Sequence, residues 1–154
     1  MRLRQLYGTR LALLLAIISI VAQAFGPNKL REARKAGHRI QVVTDASIDT
    51  TTTLFHQHLI TTEKKNQIVL ILQKVNDGNR VLIQKAQLAQ SDTPEVRQSL
   101  LVQLKIIEDA VKELKDAGVL GIKSQNGTLA FESAMSALDT AIAIIQSSLA
   151  GGNQ

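Results

Sequence analysis

Residues 68–86 read IVLILQKVNDGNRVLIQKA, and the fold turns on whether they form one helix or two strands. The strand reading rests on Asp77-Gly78 between two apolar runs, a recognised hairpin cue. The helix reading rests on Ile68, Ile71, Leu72, Val75, Leu82, Ile83, Ala86 and Ala89, which recur in three- and four-residue steps. Nothing else in the body of the chain reads as a strand that could complete a sheet, and a lone two-stranded hairpin is marginal in water. Gly78 inside a helix costs about 1 kcal/mol against alanine, which a packed stripe can absorb. The expectation is a helix, with Gly78 as the place for a kink.

The flanking sequence punctuates that helix on both sides. Upstream, Thr61-Thr62-Glu63 offers a cap and an acid for a first turn. Downstream, Ser91-Asp92-Thr93-Pro94-Glu95 starts another helix. Thr93 can cap it, Pro94 suits a first position that needs no donor, and Glu95 suits the positive helix end. Val96, Leu100, Leu104 (or Gln103), Ile107, Val111 and Leu114 follow at helical spacing, and Gly118 is placed to close the helix. The connection 90–93 is short, so the two helices should lie antiparallel. After a connector at 118–127, with Asn126-Gly127-Thr128 as a turn, a last helix is expected over 129–149. Its stripe is Phe131, Ala134, Met135, Leu138, Ile142, Ile145 and Leu149.

Residues 29–59 carry a thinner stripe, Leu30, Ala33, Gly37, Ile40, Val43, Ser47, Ile48, Thr51, Leu54, Phe55, His58 and Leu59. Four consecutive threonines at 50–53 weigh against helix, since β-branched side chains restrict their own rotamers there. Such a polar-rich stripe can pack on its own bundle or lie along a protein partner. The first is the expectation.

Ahead of all this, residues 11–25 read LALLLAIISIVAQAF, uncharged, with Arg2, Arg4 and Arg10 before them. A basic start, a short apolar run and Ala22-Gln23-Ala24 match a secretory signal cleaved after Ala24. Fifteen residues fall short of the roughly 20 a spanning helix wants, and Gly26-Pro27 interrupts any extension. Against cleavage stands the charge that follows, because cationic flanks are retained on the cytoplasmic side. Lys29, Arg31, Arg34, Lys35 and Arg39 face only Glu32 in residues 25–41. These five are the candidate membrane-surface contacts, as basic residues beside an apolar segment attract anionic headgroups.

Charge placement also bounds the partners. Residues 42–154 hold ten Lys or Arg against twelve Asp or Glu, so the net charge of +5 belongs to the N-terminal quarter. With no Trp and a slightly acidic body, the chain lacks the clustered cations and stacking aromatics of a nucleic-acid binder. The absence of cysteine removes thiol catalysis and thiolate metal sites. His56 and His58 at i, i+2 point to different faces of a helix, whereas zinc helices use i, i+4. Glu108, Asp109, Glu113 and Asp116 interleave with Lys105, Lys112 and Lys115, with i, i+4 partners Lys105–Asp109, Glu108–Lys112 and Lys112–Asp116. That is the pattern of a solvated ion-pair face. No nucleophile elbow, phosphate loop or dinucleotide fingerprint occurs.

The sequence therefore predicts an all-α protein, an antiparallel bundle of three or four helices behind an N-terminal signal or membrane-anchor helix. Residues 1–24 are the signal or uncleaved anchor, 25–61 a basic juxtamembrane stretch with an amphipathic helix, and 62–154 the bundle. The expected role is a non-enzymatic, exported or membrane-tethered structural or interaction module with its body outside the cytoplasm. Its partners would be the membrane, through the N-terminal segment, and another protein through the helix in 29–61. No cofactor, metal, nucleic acid or small-molecule substrate is expected. The competing reading is a membrane-active protein whose retained apolar helix perturbs the bilayer.

Overall fold

A computed structural model describes residues 29–118 and 122–150; the apolar leader and the sequence up to residue 28 lie outside the described residues. Four helices occupy nearly all of the rest: α1 (Lys29–His56), α2 (Thr62–Leu88), α3 (Pro94–Gly118) and α4 (Gln125–Ala150). Residues 68–86 lie inside α2, so the hairpin reading is excluded.

Each helix packs against its chain neighbours, and α4 also returns to α1, closing a ring of four around one core. Cross-helix pairs fix the directions. Between α2 and α3, Lys74 meets Glu113, Gly78 meets Gln103 and Lys85 meets Ser99, so one number rises as the other falls. Between α3 and α4, Lys115 meets Asp139 and Glu108 meets Gln146, again in opposite order. The result is an up-and-down antiparallel bundle, the arrangement that short connections favour. The core is aliphatic. Ile40, Leu72, Leu82, Leu100, Ile107, Leu114, Leu138 and Ile145 are all fully buried, one or more from each helix.

The threonine run did not break α1. Thr50, Thr51, Thr52 and Thr53 each donate their hydroxyl to the carbonyl four residues back, at 2.8–2.9 Å. Thr44 and Ser47 do the same from the buried side at 2.7 Å. Hydroxyls satisfied within their own helix can be buried without a partner from elsewhere. That is how a polar-rich stripe becomes a bundle wall. α1 packs against both α2 and α4, so the helix set apart by sequence in 25–61 is one of the four sides of the bundle.

Caps set the helix limits. Thr61 and Thr93 each accept from the backbone N–H three residues on, Lys64 at 3.2 Å and Val96 at 3.3 Å. α1 closes through a Schellman arrangement. His58 N–H donates to Phe55 O (2.9 Å), and Leu59 N–H donates to Leu54 O (3.0 Å). His58 takes the left-handed position, φ 56°, usually given to glycine. α4 begins four residues earlier than the sequence suggested. Asn126-Gly127-Thr128 is helical rather than a turn, because Ser124 caps it by accepting from Gly127 N–H at 3.3 Å.

α4 is long and apolar enough to cross a membrane by length and composition. Its inner side forms core, with Phe131, Met135, Leu138, Ile142, Ile145 and Leu149 buried, while Glu132, Ser136, Asp139 and Thr140 face outward. That division belongs to a core helix of a bundle.

Candidate functional site: the basic end of the bundle

The first turn of α1 lies beside the α2–α3 connection, and both other connections lie at the opposite end. There Lys123 N–H donates to Leu59 O at 3.0 Å and the Lys64 ammonium reaches Ala117 O. At 1.5 Å per residue, the 28-residue α1 separates the two ends by about 42 Å. The chain before Lys29 therefore enters at the end formed by the starts of α1 and α3 and the finishes of α2 and α4.

All five sequence-predicted contact residues sit in the first three turns of α1. Leu30, Ala33, Ala36, Gly37 and Ile40 turn inward, which sends Arg31 and Lys35 fully outward and leaves Lys29, Arg34 and Arg39 half-buried at the flanks. Lys35 pairs with the buried Glu32 at 3.0 Å, one turn back on the same helix. Further along α1 the exposed face changes sign, with Asp45 and Asp49 outward and no cation in the rest of the helix. The lysines and arginines of α1 are thus confined to one end of that helix, on its solvent-facing side and flanks.

A cavity of about 310 Å³ opens at this end between α1 and the α2–α3 connection. Lys29 and Arg34 form its cationic side, Leu30 and Ala86 its apolar floor, and Ser91 and Asp92 its far rim. The Asp92 carboxylate lies 2.9 Å from Arg97 Nε, an ion pair by distance rather than an aligned hydrogen bond. Its charge is thereby largely offset from within α3. A second hollow, of about 520 Å³, lies along the α1–α2 seam, where His38, Gln41, Asp77, Asn79, Arg80 and Ile83 are among the lining residues.

The other sequence candidates are dispersed. His56 is in the last turn of α1 and His58 beyond it, both exposed, and no group of three metal-ligating side chains occurs among the described residues. Of the expected ion pairs on α3, Lys105–Asp109 forms at 2.9 Å. Glu108 instead meets Lys105 at 3.5 Å and accepts from Gln146 at 3.1 Å. Glu113 turns across to Lys74 at 3.0 Å. Helical spacing names which residues can meet within a helix, but neighbouring helices compete for the same charges.

Sequence reasoning missed the buried polar groups Glu32 and Asn79, and it offered Gln103 only as an alternative to Leu104, whereas both are buried. Asn79 had a signal, the Asn-Asp-Gly-Asn run, but that run pointed to a turn. No protein-family model matches the chain, and no curated protein or solved structure is significantly similar to it.

Proposed function

We propose that this chain is a membrane-associated structural or interaction module, a helical bundle standing end-on at an anionic membrane surface. The observation that carries the reading is the placement of Arg31, Arg34 and Lys35. They lie around the outer side of α1, at the end through which the apolar segment 11–25 joins the bundle. Basic residues near an anionic surface contribute about 1 kcal/mol each, and the effect fades within a Debye length of about 8–10 Å. Charges at the far end of a 42 Å helix would contribute nothing. The acidic residues Asp45 and Asp49 lie about 24 Å and about 30 Å along α1 from Lys29, well beyond that range. With its basic end on the membrane, the bundle presents its far end, with residues 57–61 and 122–124, to protein partners.

Fractionation of native cells tests this. The full chain should travel with membranes and resist alkaline carbonate if the leader is retained. If the leader is cleaved, the mature chain should begin at Phe25 and leave membranes in high salt. A chain that stays in the cytoplasm with Met1 intact and no membrane fraction would overturn the reading.

A further inference from the structure

We propose that the cavity at the basic end binds the phosphate-bearing headgroup of an anionic lipid. The proposal rests on the reading of this end as membrane-facing. It goes further by naming a site where headgroup chemistry, rather than diffuse charge, is recognised.

Three features converge there. Lys29 and Arg34 both line the hollow, one supplying a compact ammonium and the other a planar fork of donors that matches phosphate oxygens. The acid at the rim, Asp92, is held by Arg97, so the local field stays positive. The Ser91 hydroxyl adds a neutral group able to donate or accept, suited to the glycerol side of a headgroup. Behind these polar groups the floor is apolar, through Leu30 and Ala86. Leu88, 73% exposed, projects from the last turn of α2 at the same end of the bundle. A phosphate group with an acyl chain beside it satisfies both halves of that surface. A free anion satisfies only one.

The far half of the bundle offers a contrast. Lys112 there lines a shallow hollow shared with Asp109, Glu113 and Asp116, where acids outnumber cations.

The test uses the full chain in nanodiscs of phosphatidylcholine alone or phosphatidylcholine mixed with phosphatidylglycerol. A third arm adds inorganic phosphate to the neutral discs. Thermal unfolding and native mass spectrometry of retained lipid are the readouts, for wild type, Arg34→Gln, Arg34→Lys and Lys112→Gln. In wild type, phosphatidylglycerol should raise Tm and be retained in preference to phosphatidylcholine. Arg34→Gln should weaken that retention about tenfold or more, the loss expected for a charged hydrogen bond. Lys112→Gln should behave as wild type. Arg34→Lys keeps the charge and should fall between, which holds the test open if the glutamine variant does not fold.

Equal retention in wild type and both Arg34 variants would overturn the proposal, as would no preference in wild type. If inorganic phosphate alone reproduced the Tm rise, the lipid assignment would be overturned in favour of a soluble phosphate ligand. Failure of membrane association in native cells would sink the proposed function as well. Membrane association without an Arg34-dependent preference would sink only this site.

Discussion

The side-chain amide of Asn79 donates to the backbone carbonyl of Gly37 at 2.7 Å, joining α2 to α1 from a residue only 1% exposed. The contact is possible because Gly37 has no Cβ. One placed there would lie 2.7 Å from Ile83 Cγ1 and 3.1 Å from Asn79 Oδ1. Gly37→Ala should therefore cost about 1–3 kcal/mol through overpacking, despite alanine's better helix propensity. Asn79→Ala should cost about 1–3 kcal/mol for the lost buried bond. Asn79→Asp should cost more than Asn79→Ala at neutral pH, since it faces a carbonyl with an acceptor and buries a charge. Urea unfolding of the three variants checks the order. An aspartate variant as stable as wild type would show that Asn79 is not sealed in the interface.

Next to it, Gly78 ties α2 to α3. Its carbonyl accepts from Gln103 Nε2 at 3.0 Å, and a Cβ on it would lie 3.1 Å from Ile107 Cγ1. Ile107 is fully buried, so Ile107→Ala should cost about 2–5 kcal/mol. The same truncation empties the space over Gly78. Gly78→Ala should then gain up to about 1 kcal/mol of helix propensity in the Ile107→Ala background, and less or none in wild type. A double-mutant cycle measures that coupling, and additive effects would mean the two helices do not close on Gly78.

These two glycines show where the sequence was legible and where it was not. Apolar stripes identified the four helices and most of the core, because burial of large aliphatic side chains depends mainly on helical period. Thr61 and Thr93 were legible as caps, because capping is a local affair of three residues. Asn-Asp-Gly-Asn carried a true signal of local exception with two meanings, a turn or a close helix crossing. Only the neighbouring helices decide between them. Gly37 and Gly78 are small to admit Ile83 and Ile107, residues 46 and 29 positions away. The basic end was legible as charge, but its cavity was not. It needs the α2–α3 connection folded back beside α1, a matter of topology rather than composition.

His58 holds the left-handed closing position of α1 at φ 56°. A side chain there costs roughly 1 kcal/mol that glycine avoids. His58→Gly should raise stability by about that amount, less the added chain entropy of glycine in the unfolded state. His58→Val should lower it, since a β-branched residue tolerates this region worst. Thermal unfolding of both variants is the check, and a destabilised glycine variant would show that the imidazole makes a contact worth more than the strain.

Glu63 and Glu95 occupy matching places, each two residues after a capping threonine. Both carboxyls are held below the ordinary glutamate value of 4.5, first by the residue's own backbone N–H and then by the hydroxyl of Thr61 or Thr93. A lowered folded-state pKa means the unfolded chain binds the proton more readily. The stabilisation is therefore complete above the ordinary value and is lost as pH falls through the lowered one. Stability measured from roughly pH 6 to pH 3 should decline with acid, and Glu63→Gln with Glu95→Gln should flatten part of that decline. Thr61→Ala and Thr93→Ala should each cost about 1 kcal/mol at neutral pH, because the Lys64 or Val96 N–H loses its acceptor. They should also reduce the acid sensitivity, since the hydroxyl that favours the ionised carboxylate is gone. A threonine variant that lost stability but kept the full acid slope would show that cap and carboxylate act independently, each on its own backbone donor.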